Sequence, residues 1–149
     1  MLSKSCKYAI RATIFVASKT VEHEKLSVKQ IAKAIDAPEA FTAKILQVLS
    51  KHKVLSSLKG PYGGFFIEPY QLERPVINIV NAVDGLAVFK ECGLGLKQCS
   101  ENHPCPMHNE YKLVRDKLLT TFEETTIAKL VSTLNEGAAY VNNLIGKRA

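Results

Sequence analysis

The most informative part of the chain is residues 27–66, SVKQIAKAIDAPEAFTAKILQVLSKHKVLSSLKGPYGGFF. Ser27 and Gln30 have the spacing of a capping box, in which each side chain pairs with the other residue's backbone N–H and starts a helix. Residues 36–37 end this helix, and Pro38 suits the first turn of the next one. Two short helices joined by so tight a turn predict a helix-turn-helix.

The second helix of this pair is predicted to span residues 38–52. The apolar residues that recur along its inner face at helical spacing are Phe41, Ile45, Val48 and Leu49. Its outer face is mainly polar. A helix of this kind after a tight turn fits the major groove of duplex DNA.

Polar side chains of the two helices supply the predicted DNA contacts. Thr42, Lys44 and Gln47 are expected to reach base edges, whereas Lys29 and Lys51 are better suited to phosphates. The full set predicted for the helices is Lys29, Gln30, Glu39, Thr42, Lys44, Gln47 and Lys51.

A β-hairpin is predicted directly after the second helix. Residues 54–59 have a strand pattern, residues 60–64 form a glycine-rich turn, and Phe65 starts the returning strand. A hairpin in this position is a wing, which we expect to reach the minor groove or the DNA backbone. The predicted wing contacts are Lys59, Gly60, Pro61, Tyr62, Gly63 and Gly64.

Charge is distributed unevenly along the chain. Residues 1–66 hold 11 Lys and Arg against 4 Asp and Glu, whereas residues 67–149 hold 9 against 10. The positive excess therefore lies in the predicted DNA-binding half, as expected for a partner that is a polyanion. No run of about 18 apolar residues occurs, which predicts no membrane span and a cytoplasmic protein.

The other predicted elements flank this central region. Residues 4–20 and Val76–Val83 have helical patterns, residues 22–25 form a loop, and residues 90–108 show no periodicity. A long helix from about residue 108 to 123 has an apolar stripe consisting of Tyr111, Val114, Leu118 and Phe122, and a last helix contains Ile127, Leu130, Val131 and Leu134. The chain is expected to be mainly α-helical, with a DNA-binding domain at 1–85, a Cys-rich loop at 86–108 and a dimerisation helix with its tail at 109–149.

Three of the four cysteines, Cys92, Cys99 and Cys105, fall within 14 residues. In a reducing compartment such a group indicates a metal site or a redox sensor rather than a structural disulfide. Thiolates are soft ligands for iron or zinc, and His108 follows Cys105 closely enough to be a fourth ligand. The paired CxxC motifs of common zinc ribbons are missing, which argues against structural zinc.

Five segments in this order resemble the Rrf2 family of bacterial winged-helix regulators. They are Lys7–Arg11, the helix and turn at 27–37, Leu58–Phe65 (close to the family's RGPGGGY wing), Asn81–Gly85, and the Cys-rich loop with its following long helix. The resemblance implies a homodimeric regulator of transcription, a repressor that binds a double-stranded DNA operator. It also implies that the long helix crosses its counterpart in the dimer. The alternative is that its apolar stripe packs within its own chain.

The resemblance also implies an iron–sulfur cluster that senses iron–sulfur status, redox state or nitric oxide. IscR-like members use three cysteines and a histidine for a 2Fe–2S cluster, and NsrR-like members use three cysteines and a partner aspartate for a 4Fe–4S cluster. Lys7 stands at the aspartate position, so the 2Fe–2S type with His108 is favoured here. Cys6 is the competing fourth ligand, unless it is a small buried residue at a helix start.

Two departures from IscR-like members concern the target sequence. Ala43 stands where they have a glutamate, and Lys59 stands where the family has arginine. The sequence allows two other functions to be compared with this one. An enzyme or electron carrier is disfavoured, since no catalytic pair is evident and the glycine-rich turn lacks the lysine and hydroxyl of a phosphate-binding loop. A metal-free or thiol-redox regulator of the CymR type remains open.

Overall fold

The computed structural model describes residues 1–19, 24–137, 140–141 and 144–145. The first helix, α1, spans Lys4–Ser18 and begins where the Ser3 hydroxyl accepts the Cys6 N–H at 3.0 Å. This confirms the predicted N-terminal helix. The loop predicted at 22–25 and the tail after Gly137 lie partly outside the described residues.

The predicted helix pair is present as α2, Val28–Ala34, and α3, Glu39–Lys51. The capping box forms in full, because Ser27 Oγ accepts the Gln30 N–H at 3.2 Å and Gln30 Oε1 accepts the Ser27 N–H at 2.9 Å. Asp36 in the turn has a left-handed φ of +53°. A short polar side chain tolerates this conformation, so the tight turn is built from a suitable residue.

The wing consists of β1, Ser56–Leu58, and β2, Gly64–Phe66, paired antiparallel with Ser57 opposite Phe65. Leu26 forms a separate antiparallel bridge to β2, since its N–H donates to the Phe65 carbonyl at 2.9 Å and its carbonyl accepts the Phe65 N–H at 2.7 Å. The residue before the capping box therefore attaches the wing to the start of α2.

The remaining elements are mostly helical. They are α4, Pro69–Leu72; α5, Ile77–Val83; a 3-10 turn, Ala87–Phe89; α6, His108–Glu124; α7, Ile127–Asn135; and the short pair β3, Tyr140–Val141, and β4, Leu144–Ile145. The predicted helices at 76–83 and 108–123 are confirmed. The sequence pattern did not predict α4, which has only four residues.

The main core joins α1, α2, α3 and α7. Ile127 and Val131 of α7 are buried in the same cluster as Phe15 and Val16 of α1. Helix α7, which follows the predicted dimerisation helix in the chain, therefore packs against the N-terminal helices. A sequence pattern shows that a helix has an apolar face but not which helix covers it.

Helix α6 lies on a second, smaller cluster that contains Cys6, Val80 and Phe89. Leu118 and Phe122 pack there, with the Phe122 and Phe89 rings 5.7 Å apart. Val114 of the predicted stripe is instead 66% exposed, beside Leu113 at 68%. Tyr111 is half-buried, with its ring against Gly93 of the cysteine loop. Within the stripe, only Val114 is therefore strongly exposed. Among the described residues, no helix combines the length and apolar character needed to cross a membrane.

Candidate nucleic-acid interface and metal centre

The outer face of α3 presents exposed polar side chains. Glu39, Lys44, Gln47 and Lys51 are all exposed, and the last three recur at the spacing of one helix face. On α2, Lys29 and Gln30 are also exposed, although Gln30 is engaged in the capping box. The structure therefore brings six of the seven predicted helix contacts to the surface.

Thr42 is the exception, and its prediction as a base-reading residue is wrong. Its side chain is 0% exposed, and its hydroxyl donates to the Pro38 carbonyl at 2.9 Å. The buried face of α3 runs through Thr42, Ile45, Leu46 and Leu49. Thr42 therefore closes the first turn of the recognition helix from the inside.

The wing tip is fully accessible. Lys59, Gly60 and Pro61 are exposed, and Tyr62 is 91% exposed. Gly63 is required by packing, because a Cβ there would lie 1.9 Å from the Leu58 carbonyl oxygen. An exposed aromatic ring on a tight glycine turn can enter a groove that a bulkier loop could not.

Gly64 is required for a second reason. It has φ +146°, and a Cβ on it would lie 2.7 Å from the Leu26 carbonyl oxygen. Gly63 thus permits the tight turn of the wing itself, and Gly64 permits the pairing with Leu26 before the capping box. The exposed tip consists of Lys59, Gly60, Pro61 and Tyr62.

Residues of α1 fix the geometry of the helix pair. The Arg11 guanidinium donates to the Ile35 carbonyl at the end of α2 and stacks 4.7 Å from the Tyr8 ring. The Tyr8 ring in turn meets Phe41 of α3 edge-on at 5.5 Å. One turn of α1 therefore touches both helices of the pair. These contacts explain how the Lys7–Arg11 segment contributes to the fold. In the sequence, this segment stood out only by its resemblance to the Rrf2 family.

The predicted metal ligands lie together at the start of α6. The sulfur atoms of Cys92, Cys99 and Cys105 are all within 4.8 Å of one another, and those of Cys92 and Cys105 are 3.6 Å apart. The His108 Nδ1 atom lies 3.2 Å from the Cys99 sulfur. His108 is the first residue of α6, so the group joins a loop to the end of a long helix.

Backbone N–H groups point at these sulfurs. Leu94 donates to Cys92 and Cys105 donates to Cys99, each at 3.4 Å. Hydrogen bonds from the Leu96 and Leu94 backbone lower the pKa of Cys92 to about 7. The Cys105 N–H lowers the pKa of Cys99, but burial and the adjacent thiols together raise it above its ordinary value. A site with one readily ionised thiol and donors aimed at sulfur suits a bound cation.

The family model for Rrf2, described as iron-dependent transcriptional regulators, matches residues 2–133. The chain belongs to the Rrf2 family. It is therefore a transcriptional regulator of the DNA-binding type and not an enzyme.

Similar proteins share most of the length of this Rrf2 regulator. A helix-turn-helix-type transcriptional regulator of Aquifex aeolicus (strain VF5) is 29% identical over 135 residues, which are 89% of this chain and 92% of that protein. Protein aau3 of Rhizobium meliloti (strain 1021) is 26% identical over 147 residues, which are 97% of this chain and 91% of that protein.

Two solved structures have the same fold. CymR, the global cysteine regulator of B. subtilis, superposes with a TM-score of 0.72 at 22% identity, covering 89% of this chain and 96% of CymR. T. potens IscR superposes with a TM-score of 0.70 at 18% identity, covering 93% of this chain and 91% of IscR. The predicted mainly helical winged fold is confirmed.

In this Rrf2 protein the cysteine loop is clamped onto α6 at two points. The Lys112 ammonium pairs with the Glu101 carboxylate, and this bond holds the pKa of Glu101 below its ordinary value. The Arg115 Nη1 atom donates to the carbonyls of Lys90 and Glu91, each at 2.9 Å. These contacts fix the chain before Cys92 and after Cys99. Sequence reasoning missed them because their partners lie 11 to 25 positions apart.

Cys6 is not part of the sulfur group. It is 0% exposed, and burial together with the Asp84 carboxylate raises its pKa to about 12. A thiol of this kind resists the deprotonation that metal binding requires. The structure therefore places Cys6 as a small buried residue at the start of α1, and it does not bring the alternative fourth ligand to the site.

Proposed function

We propose that this Rrf2 protein is a homodimeric repressor of transcription whose DNA affinity is set by an iron–sulfur cluster. The cluster ligands in this proposal are Cys92, Cys99, Cys105 and His108. The observation that supports this proposal most strongly is the position of four side chains. The three cysteine sulfurs lie within 4.8 Å of one another, and the Nδ1 atom of His108, the first residue of α6, lies 3.2 Å from the Cys99 sulfur.

The donor set fits such a cluster. Three soft thiolates with one imidazole match iron or zinc rather than a hard cation such as Mg²⁺. Backbone donors to two of the sulfurs are the kind of contact that tunes cluster potentials. His108 Nε2 is buried without a protein partner, which leaves its ring held by packing and by its Nδ1 contact alone.

A histidine in the ligand set favours the 2Fe–2S type over 4Fe–4S. When bound, such a group supplies reversible one-electron chemistry and reacts with oxidants and nitric oxide. The chain's own residues hold the loop in place: Arg115 fixes the segment before Cys92, and Lys112 fixes Glu101 behind Cys99.

DNA binding is assigned to α3 and the wing. Lys44 and Gln47 are the exposed residues of α3 that are long enough to reach base edges in the major groove. Lys59 and the 91% exposed Tyr62 would contact the backbone or minor groove. Lys29 and Lys51 would neutralise phosphates, so affinity should fall steeply as salt is raised.

Dimerisation is assigned to the exposed side of α6. Leu113 and Val114 are adjacent apolar residues of α6, and their side chains are 68% and 66% exposed. Packing against the same residues of a second copy would bury both.

The cluster is tested by anaerobic reconstitution with iron and sulfide. The wild-type protein should gain visible sulfide-to-iron absorption, which Cys92→Ala, Cys99→Ala and Cys105→Ala should each remove. Cys6→Ala is the matched control and should keep the full spectrum, because Cys6 is buried away from the group. A colourless protein that carries stoichiometric zinc would overturn the assignment.

A thiol-redox regulator without metal is the second candidate. The sulfurs of Cys92 and Cys105 are 3.6 Å apart, and the fold matches that of CymR. A peroxide would join the two sulfurs: the thiols give up two protons and two electrons, and the peroxide is reduced to water. Metal analysis of protein purified without oxygen, with peptide mapping after peroxide treatment, separates the two candidates.

A further inference from the structure

The carboxyl end of recognition helix α3 is held by one side chain from α4 and one from the turn that follows α4. Gln71 Nε2 and Arg74 Nη1 each donate to the Lys53 carbonyl at 3.0 Å. Arg74 Nη1 also lies 3.4 Å from the His52 carbonyl. Lys53 has a left-handed φ of +58°, which a residue with a long side chain adopts only where its surroundings hold it. The end of α3 is therefore fixed from outside the helix pair.

The same turn is bonded to the end of α6. The Ile127 N–H donates to the Arg74 carbonyl at 3.0 Å, and the Val76 N–H donates to the Thr125 carbonyl at 2.8 Å. The two bonds form an antiparallel bridge between the turn and the α6–α7 linker. Helix α6 has 17 residues. At 1.5 Å per residue it spans roughly 25 Å, from the cysteine loop to this bridge.

Gln71 extends the connection to the wing. Its side chain is 0% exposed, and Nε2 also donates to the Ser56 hydroxyl at 3.1 Å. Its Oε1 accepts the Glu68 N–H at 2.7 Å. A buried amide with both ends bonded has little freedom to turn, so the end of α3 and the start of β1 share one rigid partner.

We propose that Arg74 is a positioning residue for DNA binding, which couples the end of α6 to the angle of recognition helix α3. An arginine that only bonds the last carbonyls of a helix is a common cap. Arg74 differs because its own carbonyl holds the α6–α7 linker while its guanidinium holds α3. The inference rests on the proposed function, in which α3 reads DNA and the sensing group lies at the other end of α6.

Hydrogen exchange of the full-length protein without metal or DNA tests the clamp by itself. In Arg74→Ala, amides of residues 48–58 should exchange about tenfold faster, because the terminal carbonyls of α3 lose a charged donor. Arg74→Lys keeps the charge and should recover part of the protection. Lys129→Ala removes one exposed charge on α7 and should match the wild type. Unchanged exchange at residues 48–58 in Arg74→Ala would overturn the proposal.

Fluorescence anisotropy then tests positioning, with a duplex selected from genomic DNA and a scrambled duplex of equal length. Arg74→Ala should bind the selected duplex about tenfold more weakly and the scrambled one nearly as well as the wild type does. An equal loss on both duplexes would reduce Arg74 to a general electrostatic role and refute the inference. If the wild type prefers no duplex, the proposed function fails, and hydrogen exchange alone decides whether Arg74 clamps α3.

Discussion

Replacement of Gly63 by alanine should disrupt the wing through a backbone collision. The added Cβ would lie 1.9 Å from the Leu58 carbonyl oxygen, whereas Cβ contacts under 3.0 Å are essentially never observed. The strand end must therefore move by about 1 Å, which breaks the 3.0 Å bond from the Gly63 N–H to the Gly60 carbonyl. Overpacking of this kind lowers the free energy of unfolding by about 1–3 kcal/mol.

The loss should be visible in both stability and DNA binding. For a chain of this length, about 1–3 kcal/mol corresponds to a Tm lower by roughly 2–12 °C. Binding of the selected duplex, followed by anisotropy, should weaken because Tyr62 no longer projects from a defined turn. The matched control is Gly95→Ala, where φ is +73° but no atom lies within 4 Å of the new Cβ.

Gly95→Ala should therefore lower the free energy of unfolding by only about 1 kcal/mol, because alanine disfavours the left-handed backbone that glycine adopts there. The DNA affinity of the metal-free protein should be unchanged. A Gly63→Ala protein that melts and binds DNA like the wild type would show that the turn geometry described here is wrong.

Three further substitutions and one chemical modification test other parts of the structure. Thr42→Val should lower the free energy of unfolding in urea by about 1 kcal/mol, because it removes the hydrogen bond from the Thr42 hydroxyl to the Pro38 carbonyl. It should leave operator preference unchanged, whereas Lys44→Ala should weaken operator binding. Ser27→Ala should lower the free energy of unfolding by about 0.5–2 kcal/mol, because it removes the capping box of α2. An unchanged Tm would contradict that role of Ser27. In metal-free protein at pH 8, iodoacetamide should modify Cys92, with its pKa of about 7, well before Cys6, whose pKa of about 12 keeps it a neutral, buried thiol. Mass spectrometry that finds Cys6 modified first would refute the described packing.

Features set by neighbouring residues could be predicted from the sequence. The capping box needs only Ser27 and Gln30, and the wing turn needs only its glycines, so both were predicted correctly. Three cysteines and a histidine within 17 residues could likewise be expected to meet. In each case the chain between the partners is too short to separate them.

Features set by distant partners could not be predicted. The buried face of α3 was predicted in part, because Ile45 and Leu49 are buried as expected. The burial of Leu46 and Thr42 was missed, because apolar residues lie on several sides of the helix and periodicity alone does not fix the buried side. Thr42 can be buried because its hydroxyl donates to the Pro38 carbonyl, one helical turn earlier. Arg74 looks like any surface arginine until the fold brings the end of α3, 21 positions earlier, against it.

The contacts around α6 show the same limit. Its apolar residues predicted one stripe, but Phe89 and Val80 cover only the Leu118 and Phe122 end of it. That the exposed Val114 end of α6 packs against a second copy of the chain therefore stays a proposal.

Operator affinity of one anaerobic preparation, measured with and without its reconstituted cluster, tests whether the sulfur group controls DNA binding. If the cluster controls DNA binding, affinity for the selected duplex should differ by at least about tenfold between the two states, and Cys99→Ala should abolish the difference. Equal affinity in both states of the wild-type protein would contradict it, because the sulfur group at the start of α6 would then have no influence on the helix that reads DNA.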